Sequence, residues 1–325
     1  METRSIQKTG GASFIVTLPK DWVIRQGLGS KGIVEFYETS AGQLIIRSQH
    51  KTKAYSASLT IDYLSENHII RELIGFYVSG VHEIVVLARS ITYEQRMLVR
   101  STCYKLIGFE LFEETSERML LKNVASSTIT ATEYTVKMID MVASMFHDIV
   151  RCVETSDRKL ARDIIERDVE VDRVQLAILR QFNGMLHTVV PEKPTDLPLI
   201  DLHYYELVAV RLERIADHAV RIARTISLLK IREKVSLNKF EYANMKRLFE
   251  YFELLKKTVT LMDKRLAHKI VDMYDLLQKN AFINRKIHDT SSINILIADS
   301  LERMRGYITN IAEETINYLD VKATL

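Results

Sequence analysis

Cysteine is nearly absent from this sequence of 325 residues, which has only Cys103 and Cys152. They lie in different segments with no metal-ligand spacing, so both are expected to be reduced and buried. Proline is equally sparse. Of the four, Pro19, Pro191, Pro194 and Pro198, three bunch together; they mark one helix–helix connection and leave the rest of the C-terminal region free to form long helices. No apolar run is long enough to span a bilayer, and the polar opening Met1-Glu2-Thr3-Arg4-Ser5 is no signal peptide, so a cytoplasmic chain without membrane insertion is expected. A strong excess of one charge is missing too, since a net +3 is too small to prove an anionic partner. What is present is a composition 47% apolar and 27% charged, in a chain long enough for two or three domains.

One stretch organises the rest. In Leu212 to Ile226, the residues Leu212, Ile215, Ala216, Ala219, Ile222, Ala223 and Ile226 recur at three- and four-residue intervals, which predicts a helix with one apolar stripe. Glu213 and Asp217 fall outside that stripe. Four residues apart, the two carboxylates repel by about 0.2–0.5 kcal/mol unless a cation relieves them. Arg221 could supply an ordinary salt bridge to Asp217; alternatively, several acidic pairs converge on a bound metal. A second pair of the same spacing, Asp168 and Asp172, stands in the preceding helical segment close to Ile165, Val169 and Leu176. Carboxylates bordering an apolar strip lose hydration unless paired, and hard cations take their oxygens readily.

At these residues the sequence resembles the PhoU family, in particular its archaeal-type phosphate uptake regulators. The family's typical helix reads L-E-R-I-G-D-x-A-x-x-I-A, and Leu212 to Ala223 matches it with Ala216 in the glycine's place. The resemblance implies paired three-helix bundles and E(D)-x-x-x-D motifs that hold metal clusters. Asp168, Asp172, Glu213 and Asp217 would then hold a divalent or trivalent metal ion: iron, zinc or magnesium.

The opening of the chain has a different pattern. Thr3 to Lys8 and Ser13 to Leu18 are strand-like around the turn Thr9-Gly10-Gly11-Ala12; Pro19 opens a short helix through Gln26, and Gly32 begins a hairpin turning at Ser40-Ala41-Gly42. Fewer than fifty such residues cannot easily bury a core alone, so a homodimer through this region is expected. The run Lys8 to Trp22, with Gly27-Leu28 and Gly32, is similar to the AbrB/SpoVT/MazE swapped-hairpin domain. That resemblance implies an interlaced β-barrel whose basic face contacts DNA, with Arg4 and Lys8 as the first contacts and Lys20 and Arg25 as secondary ones. Such domains also serve as dimerisation modules alone.

From Lys51 to Val124 strand and helix alternate, predicting a compact α+β unit with a split βαβ arrangement and no catalytic constellation. It suits a spacer, a dimerisation role or a small-molecule effector. Beyond Thr128 the pattern is helical, with breaks near Glu154–Asp157, Pro191–Pro198, Ser236–Asn238, Leu261–Arg265 and Asp289–Ser292, giving six helices. The second half echoes the first: Leu301 to Ala312 repeats the organising helix with Gly306 in place of Asp217, while Tyr274 and Gln278 stand opposite Asp168 and Asp172. The second bundle is thus expected to be degenerate, with Glu302 an ordinary surface acid. His218 is expected to be solvated, and Met138, Met141 and Met145 to be core.

The expected fold is therefore multidomain α+β: residues 1–48 an AbrB-like domain, 51–124 a middle domain, 128–235 a PhoU-like bundle and 236–325 its degenerate copy. The expected function is a non-enzymatic, DNA-binding transcriptional or signalling regulator of phosphate uptake with a metal-binding sensor region. The alternatives are an adaptor for a phosphate transporter complex that does not touch DNA, and a metal-dependent hydrolase. The hydrolase is disfavoured by the lack of Glu-x-x-His spacing or a nucleophile beside the acids.

Overall fold

The computed structural model describes residues 3–11, 13–38, 42–48, 55–124, 129–188, 197–230, 233–235, 237, 239–284 and 292–324, with backbone alone for 240, 241 and 276–284. Met1–Lys53 forms one compact unit and Ala54–Thr324 another.

In the first unit β1 (Gln7–Thr9) and β2 (Ser13–Ile15) form a hairpin, α1 (Lys20–Arg25) follows Pro19, and β3 (Val34–Glu38) pairs with β4 (Leu44–Ser48). Gly10 turns the first hairpin at φ +66°, a backbone that glycine adopts without a Cβ penalty. Both leading strands are shorter than the sequence predicts, because neither gains a third partner among the described residues and a lone ribbon frays. Ala12, Ser40 and Ala41 lie outside the described residues.

The second unit opens with β5 (Ser56–Thr60), α2 (Glu66–Val78), β6 (Glu83–Leu87), α3 (Tyr93–Lys105), β7 (Phe109–Glu114) and β8 (Arg118–Asn123). Ser65 accepts from the His68 amide, and Thr92 with Gln95 forms a capping box, so both helices start at side chains that satisfy orphan N–H groups. The sheet order is β5-β6-β8-β7, and β5 and β6 are parallel direct neighbours. A split βαβ unit is present as predicted: α3 carries the chain from β6 to β7, which run parallel with β8 antiparallel between them, whereas the first unit, β5-α2-β6, has touching strands. Ile69, Leu73, Tyr77, Ile84, Val86, Met119 and Leu121 form its own core.

The rest is helical: α4 (Ala131–Thr155), α5 (Arg158–Thr188), α6 (Leu199–Ser227), α7 (Lys239–Leu261), α8 (Lys264–Asn284) and α9 (Ser292–Thr324). They pack as two three-helix bundles, α4–α6 and α7–α9, joined chiefly by α6 against α9. One apolar core runs through both. The junctions repeat at corresponding places. Ser156 (φ 54°) and Met262 (φ 50°) each adopt the left-handed backbone, and the following residue, Asp157 or Asp263, accepts the next helix's first amides. This gives the internal duplication a structural register in which Ala161 and Ala267 are both fully buried. Cys103, Cys152, Met138 and Met145 are buried as expected, and Met141 packs against the core. Pro191, Pro194, Ser236 and Asn238 lie outside the described residues.

Candidate functional site

Val171, Val174, Ala177 and Ile178 pin α5 into the bundle, as Leu212, Ile215, Ala216, Ala219 and Ile222 pin α6. With those stripes inward, the acidic residues of both helices are left along the seam where α5 and α6 pack together. There the four carboxylates Asp168, Asp172, Glu213 and Asp217 share one electrostatic neighbourhood. Burial pushes Glu213 up to about 7, and Asp217, Asp172 and Asp168 add to the rise. Asp168 is raised to about 6, first by burial and then by Asp172 and Asp217. Asp172 is raised by burial and by Asp217. Each partner that raises these acids is another member of the predicted set.

Their counter-charges are unequal. Arg214 reaches Asp217 at 3.1 Å and Glu213 at 3.5 Å. Among the described residues, no cation stands within salt-bridge distance of Asp168 or Asp172; Arg224 and, from α3, Lys105 act on them only at longer range. The anticipated Asp217–Arg221 bridge is not made. Arg221 turns instead to Asp299 of α9 at 3.1 Å, because α6 packs α9 on that side. The donors suit a hard cation, being all carboxylate oxygens in a half-buried seam. Among the described residues they are not already drawn together as a ligand cage.

His218 is not the solvated histidine expected. It is packed between α6 and α9, its ring 5.9 Å from that of Tyr307 and its Nδ1 buried without a partner among the described residues; burial lowers its basicity, which Arg221 lowers further. Glu302 is a surface acid, paired with Arg305 at 2.9 Å. Of the residues missed in sequence, Arg214 was visible three positions before Asp217, whereas Lys105 comes from another domain and has no local signal.

In the first unit Arg4, Lys8, Lys20 and Arg25 are all exposed. Arg4 lies 3.5 Å from the Thr17 hydroxyl, Lys8 stands on β1 opposite Phe14, and Lys20 and Arg25 occupy opposite ends of α1. This unit leaves Ile6, Phe14, Ile24 and Phe36 59–70% exposed, and its only buried described residue is Ser48. Its apolar side chains are thus uncovered in a single copy.

These features define a protein with a small two-hairpin unit followed by an α+β domain and paired acidic helical bundles. The comparisons name its parts. Residues 135–226 match the PhoU domain, and residues 7–54 match the domain described as antidote-toxin recognition MazE, bacterial antitoxin. The chain thus carries a PhoU domain behind a MazE/AbrB-like domain. The phosphate-specific transport system accessory protein PhoU homolog of Clostridium acetobutylicum is 25% identical over 194 residues, 55% of this chain and 86% of that protein. Among solved structures, the phosphate transport system regulatory protein PhoU from Streptococcus pneumoniae aligns at TM-score 0.48 and 18% identity, covering 58% of this chain and 93% of that one. PhoU from Pseudomonas aeruginosa aligns at 0.49 and 16%, covering 59% and 96%. Among the described residues, no helix is long and apolar enough to cross a membrane.

Proposed function

We propose that this chain is a cytoplasmic, homodimeric regulator of phosphate uptake that binds DNA through its first unit and a metal ion at the α5–α6 seam. The observation that carries it is the joining, in one chain, of a MazE-type domain to a PhoU domain in which four carboxylates of α5 and α6 share one electrostatic neighbourhood. Phosphate enters through the relative, whose name is that of a phosphate transport accessory protein. Dimerisation is supported by the uncovered Ile6, Phe14, Ile24 and Phe36, which a second copy would remove from water at about 1.5–3 kcal/mol per fully buried side chain. Asp168, Asp172, Glu213 and Asp217 would hold the cation, which would neutralise the repulsion between the two helices. Arg4 and Lys8, with Lys20 and Arg25, would contact phosphate oxygens of the duplex. Cation binding changes DNA binding only if the two occupied states differ in affinity, and the dimer geometry is where such a difference would arise.

Retention of DNA from the protein's own promoter, measured across a salt series, tests the first half. Arg4→Ala plus Lys8→Ala, which removes two contacts from each copy of the dimer, is expected to weaken binding at every salt concentration and to flatten the salt slope by roughly four. A binding curve unaltered by that pair removes Arg4 and Lys8 as contacts. No retention by the unsubstituted dimer favours the transporter adaptor, a reading that the relative's accessory role supports.

A further inference from the structure

The two edges of the middle-domain sheet are built differently. On β7 the edge is broken by a register shift between Leu111 and Glu113 and carries Glu110, Glu113 and Glu114; Arg96 and Arg100 hold Glu114 at 3.1 and 2.8 Å. Charges and a bulge are the usual protection against strand addition. The opposite edge, β5, has none. Its sequence Ser56-Ala57-Ser58-Leu59-Thr60 has no charge and no proline, and its pairing with β6 is unbroken.

The free groups of that edge can be assigned. Ile61 donates to the Leu87 carbonyl at 2.9 Å, and the Tyr55 carbonyl accepts from His82 at 2.7 Å. The backbone groups of residues 55, 57, 59 and 61 therefore point toward β6. Those of Ser56, Ser58 and Thr60 point away, where no strand of the described residues meets them. All three side chains are small hydroxyls and exposed.

We propose that β5 pairs with β5 of a second copy of this chain, antiparallel about a two-fold axis at Ser58, so that the two middle-domain sheets become one continuous sheet. The proposal rests on the dimer inferred above. Three features favour a second copy over another occupant. A two-fold sets a strand against itself, so a charged residue would face a like charge or its near neighbour; β5 has no charge, whereas the glutamates of β7 forbid self-pairing there. Centring on Ser58 sets Ser56 against Thr60 of the other copy, and only this register pairs every outward N–H and C=O. Finally, residues 49–55 are all that separate β4 from β5 in sequence, a tether of at most about 29 Å. Joining two chains through their first units would therefore hold the two β5 strands at high effective concentration.

The test uses the full chain with Ser58→Cys and a short bismaleimide. Cys103 and Cys152 are buried, and burial pushes their thiols up to about 11 and about 12, so background reaction is small. Most of the Ser58→Cys protein is expected to run as a covalent dimer, whereas Ser116→Cys at the tip of the β7–β8 turn remains uncross-linked. A sedimenting dimer that gives no Ser58 cross-link, or gives as much from Ser116→Cys, overturns the edge pairing while leaving the dimer intact. A chain that sediments as a monomer overturns both. Ser58→Pro supplies a second readout, since an open edge tolerates proline where the N–H faces solvent. Amide exchange at Ser56 and Thr60 is expected to rise at least tenfold in Ser58→Pro with β6 still protected; unchanged exchange overturns the pairing.

Discussion

Arg180 of α5 lies over the ring of Tyr77 in α2, its guanidinium carbon 4.9 Å from the ring centre, and donates hydrogen bonds to the carbonyls of Tyr77 and, at 2.8 Å, Val81. Asn183, one turn further along α5, donates to the Val78 carbonyl at 2.9 Å. Together they cap the C-terminus of α2, where orphan carbonyls carry partial negative charge. The middle domain is thereby fastened to the same helix that bears Asp168 and Asp172.

Replacing Arg180 by alanine leaves those carbonyls without their charged donor and removes the stem packed on Tyr77 and Phe109. A loss of about 3 kcal/mol is expected in urea unfolding, with Arg180→Lys recovering only part because an ammonium cannot fork between carbonyls. A loss below about 1 kcal/mol would mean that water serves the α2 carbonyls equally well.

The acidic seam should make the metal-free protein less stable than it need be. Asp172→Asn removes a carboxylate that burial and Asp217 already penalise. With chelator present, this variant is expected to be more stable than the parent by about 1 kcal/mol. The cation should reverse the order: at a hundredfold excess over its dissociation constant, it adds about 2.7 kcal/mol to the parent and much less to the variant. Melting curves with magnesium, zinc or ferrous ion, checked by elemental analysis of Asp168→Ala plus Asp217→Ala, decide this; equal metal in parent and variant removes the site.

The same seam sets a pH dependence. Glu213 titrates at about 7 in the fold against an ordinary 4.5, and Asp168 at about 6 against 3.8. Between these limits the folded chain holds protons that the unfolded chain has released, so stability from these two groups falls as pH rises from about 4 to 7. Chemical unfolding in chelator at pH 5 and pH 7.5 should show the decline, and Glu213→Gln should lessen it. A rise in its place would show that other groups control the window.

At the start of α4, Thr130 and Glu133 satisfy each other's amides in a capping box. Thr130→Ala is expected to cost about 1 kcal/mol and to raise amide exchange in the first turn only. Exchange that rises along the whole helix would show that the cap also anchors packing against α5.

Local chemistry made much of this legible in advance. Glu154–Asp157 announced the α4–α5 turn, and the three-and-four spacing of Leu212 to Ile226 named the buried stripe of α6. The four acids were legible because i,i+4 spacing puts each pair on one helix face. Less legible was the sheet. A split βαβ was expected, but nothing local says which unit has touching strands, β5 and β6, and which is split, β6 and β7 around β8, since order within a sheet depends on where later segments return.

The sequence by itself determined where helices begin and end, which faces turn inward and which acids travel in pairs, because propensity, capping and periodicity act within about four residues. Tertiary packing decided the partners. Arg221 pairs with Asp299, 78 positions away, and Lys105 enters the field of Asp172 from a different domain. A charge takes the counter-charge that packing brings within a few ångströms, and that proximity is fixed by which helices bury their stripes against each other.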